Sequence, residues 1–130
     1  FLCTRAVVPY MQRQGGGKIV NIGSTTMMRT SNTVDSSNPH YVASKGAVMA
    51  FTRAITRELG QYNINVNTLA PGGTDQEVER AAENATAEES RAFGRRGVPS
   101  DLTGTAAFLF SKDADFVTGQ MIAVNGGKEV

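Results

Sequence analysis

The stretch KIVNIGS, residues 18–24, decides the fold predicted for this chain of 130 residues. Its first six residues are mostly apolar and β-branched, and glycines bound them on both sides. Such a run is typical of a strand buried on both faces in a parallel sheet. In open parallel α/β sheets, ligands bind outside the carboxyl ends of the strands, and Ser24 stands at that end. We therefore expect a functional residue directly after this strand.

Helices and strands alternate along the rest of the chain. The sequence predicts a helix over 1–13 containing Pro9, a helix from Pro39 to Gly60, a strand over 63–70, a helix from Pro99, and a strand over 120–124. Residues 25–38 are rich in Thr, Ser and Asn and predict a loop. The order is βαβ-like, so the predicted fold class is α/β, with a doubly wound, Rossmann-like parallel sheet.

The composition favours a globular protein. Hydrophobic residues make up 40%, charged residues 19%, and the net charge is +1. This balance indicates neither nucleic acid nor an anionic membrane as a partner, and no apolar run approaches a membrane span. Cys3 is the only cysteine, so no intramolecular disulfide can form. We expect a cytoplasmic protein without a metal site, in which Cys3 is a small buried apolar residue.

Tyr41 and Lys45 stand four residues apart at the start of the predicted helix from Pro39. On a helix this spacing places both side chains on one face, one turn apart. A cation beside a phenol stabilises the phenolate. One exposed ion pair supplies at most about 1 kcal/mol, so the pair needs a buried site or a second positive charge. By itself, the spacing is more typical of a surface lysine beside a half-buried tyrosine.

Four motifs, in this order and covering essentially the whole chain, resemble the short-chain dehydrogenase/reductase superfamily. They are IVNIGS at 19–24, Tyr41-x-x-x-Lys45, VNTLAPG at 66–72, and TGQMIAVNGG at 118–127. The runs at 24–26 and 101–104 look like bacterial secondary-alcohol dehydrogenases and 3-oxoacyl reductase-like members. The resemblance implies an NAD(P)-dependent oxidoreductase with a small-molecule alcohol or ketone substrate.

The resemblance also implies residue roles. Tyr41 would be the general acid/base, and Ser24 would hydrogen-bond the substrate oxygen. Lys45 would stabilise the phenolate and bind the hydroxyls of the nicotinamide ribose. The loop against the nicotinamide would consist of Pro71, Gly72, Gly73 and Thr74.

The chain departs from the family pattern between Ser24 and Tyr41, because this stretch is longer than usual. The position at the usual spacing is Met28, which has no hydroxyl, so we retain Ser24. The lesser hydroxyl candidates are Thr25, Ser36 and Ser37.

Two further positions need an interpretation. The family's usual threonine after Pro-Gly falls on Gln76, while Thr74 lies nearer the turn. His40, the only histidine, precedes Tyr41, but consecutive helix positions face different directions, which favours a role outside catalysis.

Three arginines in the weakly patterned stretch after residue 75 are candidates to contact an acidic substrate. They are Arg91, Arg95 and Arg96. We interpret them instead as part of a solvated face.

Several family features are absent from the sequence. There is no glycine-rich G-x-x-x-G-x-G turn, no charged residue to choose NAD or NADP, and no upstream catalytic asparagine. The chain opens at Phe1, so we expect residues 1–130 to be the C-terminal part of a single NAD(P)-binding Rossmann-like domain.

Two alternatives to the dehydrogenase remain open at this stage. One is an inactive fragment serving only as a structural or dimerisation module, and the other is an epimerase or dehydratase of the same superfamily. The alanine-rich face of the second helix resembles the surface through which family members pair. This predicts a homodimer or homotetramer formed through the helices at 1–13 and 41–59.

Overall fold

A computed structural model describes residues 1–28, 39–77 and 92–128. Its helices are α1 (Leu2–Arg13), α2 (Pro39–Gly60) and α3 (Pro99–Phe110), and its strands are β1 (Gly17–Ile22), β2 (Ile64–Pro71) and β3 (Met121–Val124). The predicted order of helices and strands is confirmed, with ends that differ by one or two residues. No helix within these three ranges is long and apolar enough to cross a membrane.

Some predictions fall outside the described residues or need correction. Thr25–Met28, predicted as loop, forms a short 3₁₀ helix, as does Lys112–Ala114. Ser36, Ser37 and Arg91 lie outside the described ranges. Pro9 lies inside α1 without ending it, since the helix continues to Arg13.

The three strands form one parallel sheet in the order β1-β2-β3. Ile22 of β1 pairs with Leu69 of β2, and Pro71 of β2 pairs with Val124 of β3. Because all three strands are parallel, their carboxyl ends meet at one edge of the sheet. Ser24 and the loop at 71–74, both predicted to bind ligand, follow these ends.

Helical segments cover both faces of the sheet. On one face, Ile64 and Val66 form a buried cluster with Leu59 of α2, against which α1 also packs. Asn67 alternates with these residues and donates a hydrogen bond of 2.8 Å to the carbonyl of Val117, in the segment that follows α3. Successive side chains of a strand point to opposite faces, so this segment lies on the other side. The doubly wound sheet is therefore confirmed.

Two burial predictions are wrong. The β1 strand is only partly buried, and Ile22 at its end is 52% exposed; among the described residues β1 pairs with β2 on one side only. Cys3 is exposed. The α1 helix turns Thr4 inward beside it, so the buried face of α1 is not the face that carries Cys3.

A buried threonine joins α2 to two strands. Asn21 of β1 donates its amide N–H to Thr52 Oγ1 at 2.9 Å, and Thr68 of β2 donates its hydroxyl to the same atom at 2.9 Å. Thr52 and Thr68 are almost completely buried. One oxygen therefore accepts from both strands and sets the rotation of α2 against the sheet.

Replacing Thr52 with Val should lower the free energy of unfolding by about 2 kcal/mol, because one buried donor and one partly buried donor then lose their acceptor. Urea unfolding of the intact protein measures this. The matched control is Thr103→Val on the exposed face of α3, where we expect a change within about 0.5 kcal/mol. Equal effects of the two substitutions would contradict the role of Thr52.

Candidate active site

Tyr41 and Lys45 lie in the first turns of α2 and share one face of it. Lys45 Nζ lies 5.7 Å from the centroid of the Tyr41 ring. The same ammonium donates a hydrogen bond of 3.0 Å to the carbonyl of Ile22, the last residue of β1. Lys45 therefore links the start of α2 to the carboxyl end of β1 by a hydrogen bond, and the Tyr41 ring lies beside its ammonium.

Ser24 follows β1 by two residues and is 6% exposed. Its Oγ accepts hydrogen bonds from the amide of Thr26 at 3.3 Å and from the hydroxyl of Thr26 at 3.0 Å. A serine hydroxyl has one hydrogen to donate and two lone pairs to accept with. In this arrangement both lone pairs of Ser24 Oγ are engaged, and neither bond uses its O–H hydrogen.

Thr25, a lesser hydroxyl candidate, is buried like Ser24, at 2% exposure. Met28, at the family's usual spacing, is exposed but offers only a thioether. Among residues 1–28 and 39–77, no hydrogen bond joins Ser24 to Tyr41. What brings their two segments together is the bond from Lys45 to Ile22.

The loop at Pro71–Thr74 begins where β2 ends. The Gly72 amide donates to the carbonyl of Val124 at 2.9 Å, and the Thr74 hydroxyl donates to the carbonyl of Gly72 at 3.1 Å. The Gly97 amide donates to the carbonyl of Gly73 at 3.0 Å. Gln76 is exposed beyond this loop, while Thr74 lies inside it. The loop is thus held from two sides at the carboxyl edge of the sheet.

Gly72 has no room for a side chain. A Cβ at this position would lie 2.7 Å from the Cβ of Asn125 and 2.9 Å from its Cα. The φ angle of Gly72 is not positive, so steric contact with the end of β3, and not backbone strain, is what requires glycine here.

Replacing Gly72 with Ala should push the loop away from β3 and lower the free energy of unfolding by about 1–3 kcal/mol. Gly104→Ala is the control, because no atom lies within 4 Å of a Cβ there and alanine should stabilise α3 by about 0.5–1 kcal/mol. A Gly72→Ala variant as stable as Gly104→Ala would contradict the steric account.

Arg95 and Arg96, interpreted from the sequence as part of a solvated face, are partly exposed, and each contacts a carboxylate. Arg95 donates to both carboxylate oxygens of Asp101, at 2.7 and 2.9 Å, and Arg96 Nε lies 3.1 Å from a carboxylate oxygen of Asp75. The hydrogen bonds from Arg95, and then the one from the Val98 amide, lower the pKa of Asp101 to about 2. The sequence signal was an arginine shortly before an acidic residue in the first turn of a helix that begins with proline.

Within the described ranges, no group of three or more His, Cys, Asp or Glu side chains is placed to hold a metal ion. His40 is exposed and lies next to Tyr41 in α2.

Comparison with known proteins decides the family. A family model described as enoyl-(acyl carrier protein) reductase matches residues 1–129. The crystal structure of a short-chain dehydrogenase from Leptospira borgpetersenii with bound NAD+ superposes with a TM-score of 0.85 at 29% identity, covering 100% of this chain and 52% of that one. The chain belongs to the short-chain dehydrogenase/reductase family.

Other members of this short-chain dehydrogenase/reductase family are similar over the same region. The 2-dehydro-3-deoxy-D-gluconate 5-dehydrogenase of Escherichia coli K12 is 41% identical over 98% of this chain and 51% of its own length. A gluconate 5-dehydrogenase from Burkholderia cenocepacia, crystallised with NADP and tartrate, is 35% identical with a TM-score of 0.78, over 95% of this chain and 49% of that one. The chain spans about half the length of the curated relatives it matches.

Proposed function

We propose that the protein carrying this chain is an NAD(P)-dependent oxidoreductase that interconverts a secondary alcohol and a ketone, with Tyr41 as general acid/base. The observation that carries this proposal is the position of Lys45. Its ammonium lies 5.7 Å from the centroid of the Tyr41 ring and 3.0 Å from the carbonyl that ends β1. Ser24 and the loop at 71–74 follow strand ends on the same edge.

The donors at this edge fit the ribose of a nicotinamide cofactor. An ammonium has three N–H donors, and the bond to Ile22 engages one of those of Lys45. Two donors remain for two vicinal ribose hydroxyls. Gly72 and Gly73 present no side chain, so the loop at 71–74 offers a backbone surface to a flat ring. When bound, the cofactor accepts or supplies the hydride.

The chain's own residues then handle the substrate oxygen. In the oxidation direction, Tyr41 takes the hydroxyl proton as the carbinol carbon loses hydride, and in the reduction direction it returns that proton to the carbonyl oxygen. Ser24 donates its O–H to the same oxygen and stabilises the negative charge that develops there. Lys45 stabilises the phenolate that forms when Tyr41 gives up its proton.

The names of the relatives support a carbon bearing a hydroxyl or keto group as the reacting centre. Two of them are named as dehydrogenases of gluconate derivatives. The solved neighbours hold NAD+ in one case and NADP in the other, so both cofactors belong in the proposal.

The test is an assay of the intact protein with NAD+ and NADP+ against secondary alcohols, and with NADH and NADPH against ketones, including keto sugar acids. The absorbance of the reduced nicotinamide reports turnover. We expect turnover of at least one alcohol–ketone pair that is lost in Tyr41→Phe. Turnover that persists unchanged in this variant would refute the assignment of Tyr41.

A second candidate function is a structural or pairing module without activity. It is motivated by the exposed apolar residues of α1, among them Leu2, Val7 and Tyr10. Tight binding of NADH or NADPH by the 130-residue chain, measured by fluorescence titration, would contradict this second function, because a pure pairing module binds neither.

We also propose that the protein is cytoplasmic and that residues 1–130 form the C-terminal part of one NAD(P)-binding domain. We propose further that it is a homodimer or homotetramer, which pairs through the helices at 1–13 and 41–59. The exposed apolar side of α1 supports this pairing surface, as do the exposed alanines of α2, which are Ala43, Ala47, Ala50 and Ala54. Light scattering of the intact protein measures its mass in solution, and a monomer would exclude the pairing.

A further inference from the structure

An ion pair flanks Gly97, the residue that forms a β-bridge with Thr74 of the loop at 71–74. The guanidinium of Arg95 donates two hydrogen bonds to the Asp101 carboxylate, of 2.7 and 2.9 Å. Each side chain is about one-third exposed, at 34%. Bidentate arginine–carboxylate pairs fix geometry as well as charge, because two parallel hydrogen bonds allow one relative orientation.

This pair shapes the backbone between its two members. Asp101 Oδ2 accepts the Val98 amide at 2.9 Å, which caps the start of α3. Arg95 Nη1 also donates to the carbonyl of Arg96 at 2.8 Å. The two side chains therefore hold both peptide groups that flank Gly97, one on each side.

Gly97 in turn holds the loop that follows β2. Its amide donates to the carbonyl of Gly73 at 3.0 Å, and its carbonyl accepts from the amide of Asp75 at 2.9 Å. These bonds form a parallel bridge between Thr74 and Gly97. The contact of Arg96 with Asp75, at 3.1 Å, closes the same bridge from the side. A continuous path of hydrogen bonds thus runs from Asp101 to Gly73.

We propose that Arg95 and Asp101 are positioning residues for cofactor binding, which act by fixing Gly97 and through it the loop at 71–74. This inference rests on the proposed function, because it assigns that loop to the nicotinamide. Neither side chain needs to touch the cofactor. A shift of the loop by about 1 Å is enough to weaken binding strongly, because the site depends on precise positions of its groups.

The variants separate geometry from charge. Asp101→Asn keeps an acceptor for the Val98 amide but loses the negative charge and one of the two hydrogen bonds from Arg95. Asp101→Glu keeps charge and capping, since glutamate suits the third helical position. Arg95→Lys keeps the positive charge but cannot form the bidentate pair of hydrogen bonds with Asp101. The matched control is Asp115→Asn, which removes a lone ion pair with Lys18, at 2.7 Å, beside the amino end of β1.

Two readouts in the intact protein test the proposal. In Asp101→Asn, and also in Arg95→Lys, we expect the dissociation constant for NADH or NADPH to rise by roughly tenfold or more, with turnover at saturating cofactor within about twofold. Amide hydrogen exchange should quicken at Asp75 and Gly97. It should stay unchanged at Gly72, whose amide is held by Val124 of β3 instead. Asp101→Glu should restore affinity, and Asp115→Asn should leave affinity and these amides unchanged.

Unchanged exchange at Asp75 in Asp101→Asn would overturn the positioning role, as would equal losses of affinity in Asp101→Asn and Asp115→Asn. Failure of the proposed function has a different signature, because the wild-type protein would then bind neither reduced cofactor. In that case Arg95 and Asp101 would have no role in cofactor binding either.

Discussion

Replacing Tyr41 with Phe in the intact protein should lower turnover by about 10²–10⁴-fold, the usual contribution of a general acid/base. The substitution removes one oxygen and keeps the ring, which packs 5.7 Å from Lys45 Nζ. The free energy of unfolding should therefore change little, and cofactor affinity far less than turnover. Steady-state rates with saturating substrate, together with urea unfolding, measure both quantities.

Tyr62→Phe provides a matched control for this loss. Tyr62 and Tyr41 are each 42% exposed, so the same chemical change is made at equal exposure. Tyr62 lies directly after α2, at the opposite end of that helix from Tyr41. We expect Tyr62→Phe to retain wild-type turnover. Equal losses in the two variants would show that the hydroxyl of Tyr41 has no special role.

Replacing Lys45 with Met should have the second largest effect, a fall of about 10²–10³-fold in kcat/KM. Removal of a single preorganised donor from an active site typically has this size. Methionine preserves the length of the side chain but removes the charge beside the phenol and the 3.0 Å hydrogen bond to Ile22. The two donors proposed for the ribose are lost too, so the dissociation constant for the cofactor should rise as well.

Lys112→Met is the control, because Lys112 is exposed at the start of a 3₁₀ helix after α3. It should leave kcat/KM and the cofactor dissociation constant unchanged. A purely structural role for Lys45 predicts a different result. In that case Lys45→Met would lower the free energy of unfolding, but the folded variant would keep the wild-type kcat/KM.

The sequence predicted those parts of the fold that depend on local pattern. The apolar run at 18–23 indicated a strand, and proline at 39 with glycine at 60 indicated both ends of α2, in agreement with the structure. The spacing of Tyr41 and Lys45 was enough to place both on one face, because α-helical geometry sets it. Strand order and register remained out of reach, since they depend on contacts between distant residues.

The polar contacts between elements could not be predicted for the same reason. Thr52 lies on a helix whose visible pattern is an apolar stripe, and nothing local shows that its hydroxyl accepts from β1 and β2. The exposure of Cys3 depends on which side of α1 meets the sheet. Arg95 and Asp101 are joined across the segment that leads into α3, and no local pattern shows that their side chains meet.

The most direct test of the central claim is a crystal structure of the intact protein with NAD(H) or NADP(H) bound. We predict that the hydroxyls of the nicotinamide ribose lie within hydrogen-bonding distance, about 2.7–3.2 Å, of Lys45 Nζ, with the nicotinamide ring against Gly72 and Gly73. The Tyr41 hydroxyl and Ser24 Oγ should both face the carbon that exchanges hydride. A nicotinamide bound away from the carboxyl edge of the sheet, with Tyr41 and Lys45 contacting no part of the cofactor, would contradict the account.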